Sequence, residues 1–131
     1  MGRRSRQRVQ MAVILVVEDD VFIRQVAEMM IEDLGHQTLS ASDMGEALVL
    51  LNSPSHIDAI FTDVYLKTEV HGGCDLATQA VALRPLLRVL YTTGNTVTDA
   101  MKSMFLTGTQ ILRKPYTQIA LQDAVGLMLA A

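Results

Sequence analysis

The chain has 131 residues, half of them hydrophobic and 19% charged, with a net charge of −3 at neutral pH. That is enough for one domain and too little for two. It excludes a disordered chain, which is poor in apolar residues, and no apolar run approaches the roughly 20 residues needed to cross a membrane.

One cysteine, Cys74, excludes an intramolecular disulfide and a cysteine-based zinc site. Arg3, Arg4, Arg6 and Arg8 fall in the first ten residues, which hold no acid. This stretch lacks the apolar core of a secretory signal. Residues 1–11 are expected to form a disordered basic leader ahead of a folded body at 12–131. The alternatives are an upstream start before Met11 and a short basic arm for an acidic partner. Without those four arginines, seven basic residues face 14 acidic ones, a net charge of −7. An acidic body speaks against a general nucleic-acid binder, and the expected compartment is the cytoplasm.

Beyond Met11 two periods alternate. Val13, Ile14, Leu15, Val16 and Val17 make a continuous aliphatic run, as in a strand buried on both faces. Apolar residues at 22, 23, 26, 29, 30 and 34 have helical spacing, and Gly35 follows as a helix-ending glycine. Residues 36–41 read as a second strand. Ser42 is the expected N-cap of a helix to about residue 51. Residues 57–62 form a third strand ending at Asp63, and 64–73 read as a long loop. A helix is expected over 75–83, a strand over 86–92, a helix over 96–106 and a strand over 110–113. Thr117 is placed to cap a final helix. Five strands alternating with five helices imply a doubly wound α/β fold: a five-stranded parallel sheet with helices on both faces.

In such folds the ligand site lies beyond the carboxyl ends of the strands. There the sequence places Glu18, Asp19 and Asp20 after strand 1, Asp63 after strand 3, Thr93 after strand 4 and Lys114 after strand 5. Converging carboxylates repel unless a cation neutralises them. A site with oxygen donors and few protein ligands suits Mg²⁺, with Mn²⁺ as a substitute. Asp20, nearest the helix start, reads as a cap. A lysine and a hydroxyl can hold phosphoryl oxygens, and a carboxylate can accept a phosphoryl group covalently.

Four segments, ILVVEDD (14–20), IFTDVYL (60–66), VLYTTGN (89–95) and ILRKPY (111–116), resemble the receiver domain of bacterial two-component response regulators. The resemblance spans the body from Ala12 to the last residue. It implies a flavodoxin-like sheet of strand order 2-1-3-4-5, the order that also serves as a general example of this fold class. It implies Asp63 as phosphoacceptor and Glu18 and Asp19 as Mg²⁺ ligands, with Asp63 and the Tyr65 backbone carbonyl completing the set. Thr93 and Lys114 match the phosphoryl-contacting hydroxyl and lysine.

The resemblance also implies a histidine kinase or histidine phosphotransfer protein as partner, and a monomer or weak dimer through helix 4, strand 5 and helix 5. Because the chain stops after the last expected helix, output through a separate, unknown protein target, or a role as phosphate shuttle or sink, is expected. So are no direct DNA binding and no membrane association. Such a protein is a phosphoacceptor and not an enzyme in the ordinary sense.

Three departures stand out. The aromatic three residues before the lysine is replaced by Ile111, leaving Tyr91 and Tyr116 as the nearest candidates. The run Tyr91-Thr92-Thr93-Gly94 is similar to a subgroup of mostly single-domain alphaproteobacterial receivers with a Phe-Ala-Thr-Gly motif. The loop after Asp63 is about two residues longer than usual and carries Lys67 and His71. Tyr65 and Asn95 occupy positions that tune hydrolysis in this family, and a bulky Tyr65 is expected to shield an acyl phosphate from water.

Other classes fit less well. A receiver-like adaptor that works without phosphorylation conflicts with the intact set of acids, threonine and lysine. A haloacid-dehalogenase-like phosphatase needs a strand 1 nucleophile with a second aspartate two residues on, and here Glu18 holds the first of those positions. A flavodoxin-like electron carrier would meet acids where it needs phosphate-binding residues.

Overall fold

The structure, a computed structural model, describes residues 11–66 and 72–130. The arginine leader up to residue 10 and the loop residues Lys67 and His71 lie outside the described residues. Five strands form one parallel sheet in the order β2-β1-β3-β4-β5. They are β1 (Val13–Val17), β2 (Gln37–Ala41), β3 (Ala59–Asp63), β4 (Arg88–Thr93) and β5 (Gln110–Arg113). The helices are α1 (Val21–Asp33), α2 (Met44–Leu51), α3 (Gly72–Leu83), α4 (Asp99–Lys102) and α5 (Gln118–Ala130).

Strand alternation builds a core on each face. Leu15, Val17, Ile60, Val89 and Tyr91 join one buried cluster with Ala47 of α2, Leu76 of α3 and Met101 of α4. Ile14, Val16, Phe61 and Leu90 point the other way, into a cluster with Ile31 of α1 and Leu121 of α5. The central strands β1, β3 and β4 are buried on both faces and are largely apolar, whereas the edge strands β2 (QTLSA) and β5 (QILR) keep exposed polar residues.

Caps explain most helix starts. Asp20 accepts the Ile23 N–H at 3.0 Å, as expected of the acid nearest α1. Gly35 follows α1 with φ +97°, a conformation that favours glycine. The cap of α2 is Asp43, one residue later than expected. Its carboxylate takes the Glu46 N–H at 2.8 Å, while Glu46 turns back to the Ser42 N–H at 2.7 Å and to the Ser42 hydroxyl. Ser42 is thus engaged by the helix without starting it. Thr117 accepts the Ala120 N–H at the start of α5.

Three boundaries differ more. β3 starts at Ala59 because Asp58 is tied to Val13, its carboxylate taking the Val13 N–H at 2.8 Å. β4 starts at Arg88; Leu86 is 92% exposed, in a turn closed by Leu87 N–H to Arg84 carbonyl. α3 starts at Gly72, so both glycines of the expected loop open the helix.

The largest departure is α4, four residues where the spacing predicts eleven. Thr98 caps it late, taking the Met101 N–H at 3.1 Å. Beyond Lys102, Met104 and Phe105 bond three residues back rather than four, a tighter winding that does not propagate far. The apolar residues that mimic helical spacing instead pack as a turn against the core.

Arg84, just past α3, closes the gap to the end of α2. Its guanidinium donates to the carbonyls of Leu51, Ser53 and Ser55 at 3.1, 2.9 and 2.7 Å. Among the described residues no helix is long and apolar enough to cross a membrane.

Candidate functional site

A parallel sheet delivers all its carboxyl ends to one edge, and the polar residues read from the sequence meet there. Glu18 follows β1 and is buried. Its N–H is held by the Ala41 carbonyl of β2 at 3.1 Å and its carbonyl by Arg24 Nη1 at 2.9 Å. Its carboxylate accepts the Asp20 N–H through Oε2 and Lys114 Nζ through Oε1, at 3.0 and 2.7 Å.

Asp63 is the last residue of β3 and is also buried. Oδ1 accepts the Tyr65 N–H at 3.1 Å, and Oδ2 accepts Lys114 Nζ at 2.7 Å. Lys114 therefore bridges two carboxylates brought from different strands. Asp19 completes the acid group: carboxylate oxygens of Glu18, Asp19 and Asp63 lie within 4.8 Å of one another.

The electrostatics follow from this crowding. Burial raises the pKa of Glu18, with the nearby Asp63 charge acting in the same direction; bonds from Lys114 and the Asp20 N–H only partly offset it. Burial opposes the charge on Lys114, but its bonds to Asp63 and Glu18 prevail and its pKa is raised. One ammonium among three carboxylates leaves a surplus of negative charge. With only oxygen donors, this set fits a hard divalent cation.

Thr93 ends β4 and is fully buried. Its hydroxyl oxygen accepts the Asn95 N–H at 3.1 Å, which leaves the O–H hydrogen to be donated. Its carbonyl accepts the Lys114 N–H at 2.9 Å. Threonine and lysine are thus joined through backbone, whereas lysine joins Glu18 and Asp63 through its side chain. The Lys114-Pro115 bond is cis.

Two supporting residues escape a reading of the sequence. Arg24 grips a backbone carbonyl, for which sequence carries no signal. Gly73 packs its backbone against Asp63: a Cβ there would stand 1.9 Å from the Asp63 carbonyl oxygen. Its only trace in sequence is the glycine pair. Beside the site lies an apolar hollow of about 470 Å³, lined by Phe22, Ile23, Val26 and Met30 of α1 and by Lys114, Pro115 and Tyr116.

The response regulator receiver domain family model matches residues 14–126. The chain is similar to a response regulator receiver protein from Sinorhizobium medicae WSM419, with 25% identity, TM-score 0.83, and 95% of this chain and 98% of that one covered. A receiver domain protein from Clostridium thermocellum is 29% identical, with TM-score 0.70 over 88% of this chain and 95% of its own. NtrX from Brucella abortus is 27% identical, with TM-score 0.81, over 92% of this chain but only 27% of that longer one. Among curated proteins none matches.

Proposed function

The chain belongs to the response regulator receiver domain family, and from that premise we propose that it accepts a phosphoryl group on Asp63 from a histidine kinase or phosphotransfer protein. The observation that carries this reading is the Lys114 ammonium held 2.7 Å from both Glu18 and Asp63, beside a third carboxylate. The same assembled set disfavours an adaptor that works without phosphorylation.

A Mg²⁺ or Mn²⁺ ion held by Glu18, Asp19, Asp63 and the Tyr65 carbonyl would neutralise phosphoryl charge. The work of the side chains is separable from it. An Asp63 carboxylate oxygen attacks the phosphorus of a phosphohistidine. The new P–O bond forms as the P–N bond breaks, and the electron pair leaves on the imidazole nitrogen, which takes up a proton. Lys114 then turns from the carboxylate to a phosphoryl oxygen, and the Thr93 O–H donates to another. The apolar hollow lined by Phe22, Ile23 and Pro115 gives the donor protein a surface beside Asp63.

The added phosphoryl group brings a charge of about −1.5 to −2 and biases the surface of α4, β5 and α5. In this reading the protein is a cytoplasmic signalling phosphoacceptor, monomeric or weakly dimeric. It acts through a separate protein target or as a phosphate shuttle or sink, without DNA binding and without turnover beyond its own phosphorylation and dephosphorylation. Incubation with labelled acetyl phosphate or a phosphorylated kinase, with Mg²⁺, tests it. Label is expected on the wild type and absent from Asp63→Ala; equal labelling of the two overturns the assignment.

A further inference from the structure

Ile111 stands where the family pattern calls for an aromatic, and the register of the sheet shows where aromatic bulk has gone. Tyr91 on β4 is the direct partner of Ile111 on β5. Tyr91 belongs to a buried cluster, and the partly buried Ile111 packs against that same cluster. The ring is therefore one strand across, on the same face of the sheet.

Tyr91 is fully buried, yet its hydroxyl is in use. It accepts the Leu106 N–H at 3.1 Å, and the Thr109 side chain is its second polar neighbour. Its ring stacks on Phe105, centroids 4.5 Å apart and planes 19° from parallel. All three partners lie in the connection between α4 and β5. That connection has little regular structure of its own, because α4 ends at Lys102. It closes on itself at Thr109, whose N–H and hydroxyl both return to the Leu106 carbonyl, with Gly108 at φ +78°.

At its other end the same strand reaches the site. Tyr91 precedes Thr93 by two residues, so both project from one face of β4. Thr93 in turn holds the Lys114 N–H. A ring enclosed by core on one side and stacked on the other has no room to rotate outward. A displacement of the end of β4 must then be taken up in the Tyr91–Leu106 bond and the Phe105 stack.

We propose that Tyr91 is the positioning residue that couples the α4–β5 connection to the state of Asp63, from β4 and through the hydrogen bond its hydroxyl accepts from the Leu106 N–H. This rests on Asp63 being the acceptor. The responsive segment is then residues 103–109, and a partner that senses phosphorylation reads that stretch.

Tyr91→Phe removes the hydroxyl and keeps the stack. In full-length protein with Mg²⁺, beryllofluoride bound at Asp63 is followed by fluorine NMR, and backbone amides are followed by nitrogen–proton spectra and hydrogen exchange. The variant is expected to bind beryllofluoride like the wild type. Its Leu106 amide should exchange about fivefold to tenfold faster, the loss of one ordinary hydrogen bond. The wild-type shift changes over residues 103–109 on adding beryllofluoride should fall by more than half. A variant whose segment responds as the wild type does overturns the coupling while leaving the acceptor assignment standing. A wild type that takes no beryllofluoride overturns the acceptor assignment, and the coupling with it. Should Tyr91→Phe fail to fold, Phe105→Leu, which removes the stack and keeps the Tyr91–Leu106 bond, puts the question from the other side: the shift changes over residues 103–109 on adding beryllofluoride are expected to fall by more than half, and a response equal to wild type overturns the coupling.

Discussion

Gly73 and Asp63 meet backbone to backbone. A β-carbon on Gly73 would lie 1.9 Å from the Asp63 carbonyl oxygen and 2.9 Å from the Val64 α-carbon. The Gly73 N–H is bonded to the Val64 carbonyl at 3.0 Å. The start of α3 thus braces the end of β3 and, with it, the acidic edge.

Neither backbone can yield cheaply, so Gly73→Ala is expected to cost about 3 kcal/mol and to weaken beryllofluoride binding at Asp63. Gly126 in α5 is the control: a β-carbon there meets nothing within 4 Å. Gly126→Ala should gain about 0.5–1 kcal/mol by restricting the unfolded chain. Urea unfolding of both variants checks this, and shifts of the same sign would contradict it.

Lys114→Met removes the cation bonded to Glu18 and Asp63. The stability loss is expected to be about 2–3 kcal/mol, the range for charged hydrogen bonds. Three unscreened acids should then gain more from a divalent cation than the wild type does, because binding to the folded state alone stabilises it. Thermal unfolding with and without Mg²⁺ reads this directly. An equal rise in Tm for both proteins would mean that Lys114 does not balance the acids.

Tyr65 follows Asp63 by two residues and presents its N–H to Oδ1. If its ring shields the acyl phosphate from water, Tyr65→Asn hydrolyses faster. A shield worth about 1 kcal/mol of barrier gives a roughly fivefold change. Autodephosphorylation rates of the two proteins decide it, and an unchanged or slower rate in Tyr65→Asn removes the shielding role.

His36 is buried with Nδ1 accepting the Ala12 N–H at 3.0 Å. Burial lowers its pKa below the ordinary 6.5. The unfolded chain therefore takes up a proton first, so this contribution to stability is complete above pH 6.5 and is lost as the pH falls through the folded value. His36→Asn, whose amide oxygen can replace Nδ1 but does not titrate, should flatten the decline in stability as the pH falls below about 6.5. Urea midpoints across that range test it, and a slope equal to wild type excludes His36 as its source.

The central strands were legible because strands buried on both faces need near-continuous apolar runs, whereas the strand order was implied by the family resemblance and is carried by no local pattern. Acids and a lysine at the ends of such runs mark one edge, so Glu18, Asp19, Asp63 and Lys114 could be grouped before any distance was known. What remained hidden depends on tertiary register. Nothing local distinguishes Ser42 from Asp43 as a cap, or shows that Met104 and Phe105 close a turn instead of extending α4. The pairing of Tyr91 with Ile111 needs the alignment of β4 on β5, and the need for glycine at 73 comes from a strand ten residues earlier.

The grip of Arg84 on the carbonyls of Leu51, Ser53 and Ser55 ties the end of one helix to the exit of another. If α3 unravels at its carboxyl end, those three carbonyls lose their donors together. α2 and α3 therefore belong to one foldon. Their amides should become exposed to exchange in a single concerted opening, with a shared free energy, apart from the α4–β5 connection.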